Sequence, residues 1–379
     1  MSGTPGTPGA PLRLAVCGTR FGETYLKALR DGVPGLVLAG LLARGGERSR
    51  RLAAALGVPL WLDTREAAAA SDAVAVVVRA GAMGGRGTAL AEAFLAAGLP
   101  VLMEHPLHPV EMVRLLELAA RRGVPFHVNS VYPHLPAPRG FIRAVQAWHA
   151  GAAPDRPAYA EATTSRQLLY STLDMLGRAL GGLGELWLER GGGHAGQPFT
   201  ALEGELGGLP FSLRLQSYLD PADLDHHSLV MHRMAVGGAE GSIALASSFG
   251  PVLRSRPLYM PGYAESETSL LLPGGEPAAA LPFLDAPLLA VEAGAALTGR
   301  EAVREALPGA VAIALAEFAA AVRGGPAPAG QTPEFLTLLA RAWLLAGQKA
   351  GAPACRPLRP PPPPAAVGLH AREAVHAGG

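Results

Sequence analysis

The sequence predicts an α/β domain built on a doubly wound parallel sheet, followed by an α+β domain with a large, mostly antiparallel sheet. Three observations support this fold class. The chain has 379 residues, enough for two domains of ~100–200 residues each. Apolar strand patterns alternate with helical patterns over residues 12–133, as in a parallel sheet covered on both faces. Over residues 134–357, short strand patterns separated by Gly-Gly pairs favour antiparallel pairing.

The strands of the first domain are continuous Val, Leu and Ala runs, because both faces of a parallel sheet are buried. They are predicted at Leu12–Cys17, Leu36–Leu42, Ala73–Val78, Pro100–Met103 and Pro125–Val128. Helical patterns between them predict the helices Gly22–Leu29, Glu47–Leu56, Arg86–Ala97 and Pro109–Arg122. Right-handed crossovers through these helices produce the doubly wound arrangement.

The second domain begins with two helical segments, Phe141–His149 and Ser171–Leu180. The residues that follow predict strands at Leu186–Glu189, Phe199–Glu205, Pro210–Tyr218, Ser228–Val236 and Gly241–Ser247. Two late helices, Glu301–Arg323 and Pro333–Ala350, can return to pack on the first domain. Residues 1–11 and 358–379 are expected to be flexible tails.

Composition and charge restrict the possible functions. Hydrophobic residues make up 49% of the chain, charged residues make up 17%, and the formal net charge is +1. This balance gives no electrostatic reason to expect nucleic acid or a membrane as a partner. The first residues do not resemble a signal peptide, and no apolar run of ~18–20 residues is free of Gly, Pro or charge. With two distant cysteines, Cys17 and Cys355, a cytoplasmic location is expected.

A glycine-bearing turn joins the first predicted strand to the first predicted helix, where a dinucleotide-binding Rossmann domain holds its pyrophosphate. Gly18 permits the tight turn, and Gly22 lets the helix start close to the strand. Arg20 and Glu23 replace the second and third glycines of G-x-G-x-x-G, so an ordinary strand-to-helix turn is the alternative. The predicted cofactor contacts are Gly18, Thr19, Arg20, Phe21 and Gly22.

The end of the second predicted strand distinguishes NAD from NADP. An acidic residue there binds the adenosine ribose diol of NAD, but this chain has Ala43 and Arg44 at the tip and Arg48 a turn later. A guanidinium binds a ribose 2′-phosphate in a forked geometry. We therefore expect NADP(H) as the cofactor, with a solvated basic loop as the alternative.

Three further loops follow strands of the first domain. A glycine-rich loop at residues 79–86 can pass close to a nicotinamide ribose, and the other two loops carry His105 and Tyr132. Because ligands bind outside the carboxyl ends of strands in an open α/β sheet, His105 and Tyr132 are predicted to be neighbours in space. The further predicted cofactor contacts are Arg79, Gly81, Glu104 and His105.

His105 and Tyr132 are the candidate catalytic residues. An unperturbed imidazole titrates near ~6.5 and can act as a general acid close to neutral pH. A phenol can donate or relay a proton, although its unperturbed pKa is about 10. A hydrogen-bonding histidine at a strand end and a loop-capping tyrosine are the structural alternatives.

Other polar residues are weaker candidates. His108 is expected to cap the following helix rather than to act in catalysis. Asp225, His226, His227 and His232 resemble a metal-ligand cluster. Neighbouring residues of a strand point to opposite faces, however, so no metal is predicted. The chain lacks the G-x-S-x-G elbow of the α/β-hydrolases, which disfavours a Ser-His-Asp mechanism.

Through these residues the chain resembles the thiazolinyl imine reductases of yersiniabactin- and pyochelin-type siderophore biosynthesis, which belong to the glucose-fructose oxidoreductase-like superfamily. That superfamily usually has Glu-Lys-Pro where this chain has Glu104-His105-Pro106. The most specific part of the resemblance is this histidine together with the Asn-x-x-Tyr-Pro-His pattern at residues 129–134. The resemblance covers most of residues 12–250, including residues 18–25, 40–45, 76–79 and 171–178.

The resemblance implies an enzyme that uses NADPH to reduce the C=N bond of a thiazoline to a thiazolidine. It also implies a substrate held as a thioester on a carrier-protein domain of a nonribosomal peptide synthetase. The general acids proposed for the family match His105 and Tyr132, without deciding which of them donates the proton. A homodimer formed through the second domain's sheet is common in the superfamily and is expected here.

Two other functions are compatible with a nucleotide-binding domain of this kind. An NADP-dependent sugar or cyclitol oxidoreductase of the same superfamily would ordinarily have lysine at position 105 and a helix with Asp-x-x-x-His. Here Asp174 is followed four residues later by Arg178, which disfavours that function. A non-catalytic NADPH-binding regulatory protein would bind the nucleotide without needing His105 or Tyr132.

Overall fold

The computed structural model describes residues 10–150, 156–193, 196–223, 228–258, 286–294 and 297–357. These residues form two large sheets and a small two-stranded sheet. Most of the expected tails, and all of Asp225, His226 and His227, lie outside the described residues.

The first domain contains a parallel sheet with helices between its strands. The strands are β1 (Leu12–Cys17), β2 (Leu36–Leu42), β3 (Leu60–Trp61), β4 (Ala73–Val76), β5 (Val101–Glu104) and β6 (Phe126–Asn129). The helices are α1 (Gly22–Asp31), α2 (Glu47–Leu56), α3 (Thr64–Ala69), α4 (Gly87–Ala96) and α5 (Pro109–Arg122). The strand order is β3-β2-β1-β4-β5-β6. It reverses direction between β1 and β4, and ligands bind at that point in sheets of this kind.

Helices cover both faces of this sheet. Every residue of the two central strands β4 and β5 is therefore buried. The bounds of β1, β2, α2 and α5 are those that the sequence predicts. The sequence does not predict β3 and α3, since so short an edge strand carries too little pattern. Asp63 begins α3 by accepting a hydrogen bond from the Arg65 amide at 2.6 Å.

The remaining strands and helices follow in the second domain. The strands are β7 (Tyr159–Thr164), β8 (Leu186–Arg190), β9 (Phe199–Leu206), β10 (Leu209–Gln216), β11 (Tyr218–Leu219), β12 (Arg233–Gly238), β13 (Gly241–Leu245), β14 (Val252–Ser255), β15 (Leu289–Ala293) and β16 (Ala354–Cys355). The helices are α6 (Pro136–His149), α7 (Leu169–Ala179), α8 (Gly299–Glu301), α9 (Leu307–Val322) and α10 (Pro333–Ala350). The large sheet has the order β15-β14-β13-β12-β7-β10-β9-β8 and is antiparallel except between β7 and β10.

Three strands of this sheet, β7, β14 and β15, are missing from the sequence prediction, and the strand predicted at Ser228–Val236 begins only at Arg233. In β7, the buried residues Ala160 and Ala162 alternate with exposed residues such as Glu161. Alanine gives only a weak apolar signal, so the alternation is hard to recognise in the sequence. The large sheet is nevertheless mostly antiparallel, as predicted.

The late helices connect the two domains. α9 packs on α1 of the first domain, and its residues Val311, Leu315 and Phe318 are buried in one cluster with Tyr25. α10 packs on both α5 and α7. The helical segment 299–322, which includes α9, is long and apolar enough to cross a membrane by length and composition. A buried core helix meets the same test, and here the packing against α1 accounts for the apolar side chains.

Candidate active site

The candidate site lies at the carboxyl end of the parallel sheet, where β5 and β6 end side by side. Glu104 is the last residue of β5 and Asn129 the last residue of β6, and the two are partners in the parallel register. The segments that follow carry His105 and Tyr132. This register brings side chains from distant parts of the sequence to one edge of the sheet.

Glu104 is buried at this edge and accepts hydrogen bonds from two side chains. The Tyr25 hydroxyl, from α1, donates to Glu104 Oε1, and Asn129 Nδ2 donates to the same oxygen at 3.1 Å. Asn129 Nδ2 also donates to the Tyr25 oxygen at 2.5 Å. Burial, followed by the charge of Glu104, holds the pKa of Tyr25 well above its usual value. Tyr25 therefore remains a phenol that donates to the carboxylate.

His105 is held in one orientation by the main chain of β6. Its ring Nδ1 lies 3.0 Å from the Asn129 carbonyl oxygen, and its backbone amide donates to that oxygen at 3.2 Å. A carbonyl can only accept, so Nδ1 carries a proton. Glu104 Oε2 lies 3.5 Å from Nδ1, and the Tyr170 ring stacks on the imidazole at 5.3 Å between centroids. Within the described part of the chain, Nε2 has no hydrogen-bond partner.

Tyr132 follows a strained turn at the end of β6. Val131 has φ 56° and ψ −47°, and the Tyr132 amide donates to the Ser130 carbonyl at 2.7 Å. This is a γ-turn of the rare kind, and such backbone strain costs of order 1–3 kcal/mol. Asn129 Oδ1 stabilises the turn by accepting from the Val131 amide at 2.9 Å. The turn directs Tyr132 away from the path of β6.

The Tyr132 side chain keeps its proton at neutral pH. Burial, followed by the charge of Glu104, raises the pKa of Tyr132 to about 12. The Tyr132 ring lies against His232, with 4.4 Å between the ring centroids. Glu104 is the register partner of Asn129, three residues before Tyr132, which is close enough for its charge to act on the phenol.

His232, just before β12, belongs to the site in a way that the sequence does not suggest. Its Nδ1 lies 2.8 Å from Ser248 Oγ, and its Nε2 lies 2.7 Å from Ser171 Oγ. Burial lowers the pKa of His232 to about 3, and the charge of His105 acts in the same direction. His232 is therefore a neutral residue packed beside Tyr132 and close to His105. No sequence motif marks this role.

These hydrogen bonds also bear on the metal-ligand cluster considered from the sequence. Both ring nitrogens of His232 are engaged by serine hydroxyls, and the other three members lie outside the described residues. Among the residues that the structure describes, no group of three or more His, Cys, Asp or Glu side chains could hold a metal ion.

Asp174 and Arg178 on α7 form a buried ion pair that reaches the Tyr132 segment. Arg178 Nε donates to Asp174 Oδ1 at 2.6 Å, and Ser130 Oγ donates to Asp174 Oδ2 at 2.5 Å. The aspartate thus connects α7 to the γ-turn. Asp174 therefore helps to hold the Ser130 segment in place. The residue one helical turn later, Arg178, is a cation rather than a histidine.

The glycine-bearing turn before α1 fits a pyrophosphate. Gly18 has φ 96°, and a Cβ there would overlap the Val77 carbonyl of the neighbouring strand segment. No side chain caps the N-terminus of α1, which begins at Gly22, so the positive end of the helix dipole is open to an anion. The local geometry therefore suits an anionic ligand, and Thr19, Arg20 and Phe21 lie in this turn.

The predicted cofactor arginines have different surroundings. Arg48 donates through Nε to the Thr19 carbonyl at 3.0 Å and pairs with Glu23. It thereby neutralises the carboxylate that replaces the third glycine of the motif. Arg44, next to Ala43 at the end of β2, is exposed. Arg48 consequently shapes the turn, whereas Arg44 is an exposed cation at the end of β2.

The glycine-rich loop after β4 is fastened to the start of α5. Glu111 accepts from the Ala82 amide at 3.1 Å, from Thr88 Oγ1 at 2.7 Å and from the His108 amide at 3.2 Å. The His108 side chain accepts from the Val110 amide at 3.3 Å, so His108 is a helix cap, as expected.

The glycines of this loop serve its own packing. Added Cβ atoms at Gly85 and Gly87 would overlap the backbone carbonyls of Arg79 and Val78, and one at Gly81 would lie 2.7 Å from Glu111. These positions need glycine whether or not a nicotinamide ribose lies nearby. Arg79, by contrast, is exposed on the same loop.

Two family models match the chain. Residues 12–130 match an oxidoreductase family with an NAD-binding Rossmann fold. Residues 155–255 match the C-terminal region of thiazolinyl imine reductases of the Irp3-like type. No curated protein matches the chain significantly.

Solved structures with the same fold include a UDP-N-acetylglucosamine 3-dehydrogenase, GnnA, from Acidithiobacillus ferrooxidans. It is 17% identical, with a TM-score of 0.62 over 88% of this chain and 96% of that one. An oxidoreductase from Agrobacterium radiobacter in complex with NAD+, L-tartaric acid and magnesium is 14% identical, with a TM-score of 0.64 over 90% and 96% of the chains. GenD2 from gentamicin A biosynthesis, in complex with NAD, is 15% identical, with a TM-score of 0.63 over 92% and 97%. At these identities the similarity establishes the fold alone.

Proposed function

We propose that the chain is an NADPH-dependent thiazolinyl imine reductase, because residues 12–130 match an oxidoreductase family with an NAD-binding Rossmann fold and residues 155–255 match the Irp3-like C-terminal region. In this proposal the enzyme reduces the C=N bond of a thiazoline to a thiazolidine. The substrate is a thioester on a carrier-protein domain of a nonribosomal peptide synthetase that makes a siderophore or a related natural product. The Irp3-like match over residues 155–255 supports this choice within the family.

The observation that carries the proposal is the placement of an imidazole and a phenol at the carboxyl edge of the parallel sheet. NADPH supplies a hydride when it is bound, and reduction of an imine also requires a proton on nitrogen. Tyr132 keeps its phenol proton near neutral pH. His105 carries a proton on Nδ1 opposite the Asn129 carbonyl, and that nitrogen lies 3.5 Å from Glu104 Oε2. The presence of two candidate proton donors at this edge of the sheet supports the proposal.

We assign the proton donation to His105 Nε2. The Asn129 carbonyl keeps a proton on Nδ1 in every charge state. The imidazolium can give the Nε2 proton to the substrate nitrogen and become the neutral Nδ1–H form without any rearrangement. Nε2 has no hydrogen-bond partner among the described residues, so a substrate atom can take that place.

Tyr132 is better suited to orient the substrate than to lose its proton. Its pKa of about 12 disfavours the phenolate, because the group is buried and Glu104 is negatively charged. A phenol can still donate a hydrogen bond to the substrate nitrogen or to the thioester. His232, fixed by two serines, supports the Tyr132 ring from one side.

We further propose NADP(H) as the physiological cofactor. The Gly18–Gly22 turn would hold the pyrophosphate, and the exposed Arg44 at the end of β2 would contact the ribose 2′-phosphate. Arg48 would support both through the Thr19 carbonyl and Glu23. Arg79 and Gly81 lie on the loop beside the predicted nicotinamide position.

A homodimer through the large sheet is also part of the proposal. Helices pack on one face of that sheet, while Trp187 and Val291 on its other face are 55% and 66% exposed. Exposed large apolar side chains on an open sheet face favour association with another surface. A second copy of the chain would bury them symmetrically.

The test is NADPH consumption with a carrier-bound hydroxyphenyl-thiazoline thioester, compared between the wild type, His105→Ala and Tyr132→Phe. We expect His105→Ala to lower kcat by ~10²-fold or more, as for removal of a general acid. Tyr132→Phe should mainly raise KM if that residue orients the substrate. Unchanged turnover in both variants would remove the two residues from the mechanism.

The same assay separates the alternatives. Oxidation of a sugar or cyclitol with NADP+, without reduction of the thioester, would support a sugar oxidoreductase of the same family. Binding of NADPH without turnover of either substrate would support a regulatory protein. Asp174 weighs against the first alternative, because its carboxylate is occupied by Ser130 and Arg178.

A further inference from the structure

The buried carboxylate of Glu104 has two oxygens with different environments. Oε1 is engaged by two donors, the Tyr25 hydroxyl and the Asn129 amide. Oε2 faces the protonated ring nitrogen of His105 at 3.5 Å. One oxygen therefore anchors the side chain and the other places negative charge beside the imidazole.

We propose that Tyr25 and Asn129 are positioning residues that hold Glu104 beside His105, so that Glu104 stabilises the imidazolium form from which the proton is donated. The proposal rests on the proposed role of His105 as general acid. The proton passes from His105 Nε2 to the substrate nitrogen as the carbon accepts a hydride. NADPH becomes NADP+, and His105 is left neutral with its proton on Nδ1.

This arrangement divides two tasks that one residue often performs. In many catalytic histidines a carboxylate fixes the tautomer and also balances the charge. Here a backbone carbonyl, that of Asn129, fixes the tautomer. No side-chain substitution removes that carbonyl. A substitution of Glu104 therefore changes the charge beside the imidazole without changing the tautomer.

Among the described residues, the other titratable side chains packed around His105 are neutral, and the Asp174–Arg178 ion pair lies beyond Tyr170. Tyr132 contributes from the turn after β6, Tyr170 from α7, and His232 from the segment before β12. Burial holds the pKa of Tyr170 well above its usual value and lowers that of His232 to about 3. Tyr25, on α1, reaches His105 only through Glu104. Within the part of the chain that the structure describes, Glu104 is consequently the charged group nearest the imidazole.

The experiment measures the pH dependence of kcat for the wild type, Glu104→Gln, Tyr25→Phe and the double variant. Glu104→Gln keeps the size of the side chain and removes its charge. We expect kcat to fall about tenfold or more, which is part of the ~10²–10⁴-fold that general acid catalysis contributes. The fall of kcat on the alkaline side should also move to lower pH, while KM for the thioester stays within about threefold.

Tyr25→Phe should cause a smaller shift in the same direction and have almost no further effect in the Glu104→Gln background, because it acts through that carboxylate. Additive losses would show that Tyr25 has only a structural role. Tyr218→Phe, a buried tyrosine in the second domain, is the matched control and should behave as the wild type. Near-UV circular dichroism and Tm establish that each variant is folded, and Asn129→Ser tests the other donor if Tyr25→Phe does not fold.

The outcomes distinguish this inference from the proposed function. If His105→Ala abolishes turnover while Glu104→Gln leaves both kcat and its pH dependence unchanged, the charge-stabilising role of Glu104 is wrong and the general acid stands. If His105→Ala retains full activity, the proposed function of His105 fails first. If Glu104→Gln lowers kcat without moving the pH profile, Glu104 has a structural role only.

Discussion

Acidification from about pH 7 to about pH 5 is expected to destabilise the fold, because three of its histidines are buried and neutral. Burial is the main reason that the pKa of His127 is lowered to about 4 and the pKa values of His134 and His232 to about 3, from an ordinary value of 6.5. Positive charge acts in the same direction, from Arg178 on the first two and from His105 on the third. All three side chains lie in the described core.

The free energy of unfolding falls on acidification because the unfolded chain binds more protons than the folded protein. Below about pH 6.5 the unfolded chain binds protons on these histidines and the folded protein does not, so stability is complete above that pH and is lost as the pH falls. At about pH 5 each histidine favours the unfolded state by about 2 kcal/mol. Glu317 opposes this, because burial raises its pKa and the folded protein holds a proton there more readily. The expected net loss of the free energy of unfolding is about 4 to 6 kcal/mol.

The measurement is urea unfolding at the two pH values, followed by near-UV circular dichroism. His127→Leu removes one titrating group, and its ring contacts Phe318 rather than a polar partner. This variant should lose about 2 kcal/mol less than the wild type on acidification. His149→Leu, at an exposed position at the end of α6, is the control and should match the wild type. A wild-type loss below about 2 kcal/mol, or an unchanged loss in His127→Leu, would refute the reasoning.

Three further predictions concern the cofactor and the assembly. Arg44→Ala should weaken NADPH binding ~10- to 100-fold and leave NADH binding nearly unchanged, as measured by nucleotide fluorescence. Arg48→Ala should weaken the binding of both nucleotides, because Arg48 supports the turn. Equal effects of Arg44→Ala on the two nucleotides would rule out contact with the 2′-phosphate. Gly18→Ala should abolish binding of either nucleotide, since its Cβ would overlap the Val77 carbonyl, and titration showing normal affinity would contradict this. Val291→Arg should convert a dimer to a monomer in analytical ultracentrifugation, and an unchanged sedimentation coefficient would place the interface elsewhere.

The local signals in the sequence were sufficient for elements with their own start and stop residues. α5 is an example, because His108 caps it, Pro109 occupies the first helical position, and Gly123 ends it with φ 66°. α10 has similar signals in Thr332 and Pro333. Such helices keep the predicted bounds because the determinants lie within a few residues of each end.

The elements that the sequence does not predict depend on partners far along the chain. β7 is central in the large sheet and pairs with both β10 and β12, yet its buried side chains are two alanines and a threonine. β15 forms the edge of the sheet and pairs with β14, which pairs in turn with β13. Their strand conformation is stabilised by these long-range hydrogen bonds rather than by a strong local pattern.

The candidate site divides in the same way. His105 and Tyr132 follow apolar strands, so the rule that parallel strands present their carboxyl ends at one edge is enough to place them together. Tyr25 and His232 have no such signal. Tyr25 lies on the buried face of an amphipathic helix, where a tyrosine is usually a core residue, and its contact with Glu104 depends on how α1 packs over β5 and β6.

The order of residues along the chain by itself determined the parallel sheet, its glycine-bearing turn and the two strand ends that carry an imidazole and a phenol, because apolar periodicity and turn chemistry act over short distances. Only the tertiary structure decided which groups surround them. The carboxylate between Tyr25 and His105, and the neutral His232 behind Tyr132, arise from packing among α1, α7, β6 and the segment before β12. Hydrogen bonds between groups so distant in sequence form only after the chain has folded, and no local pattern records them.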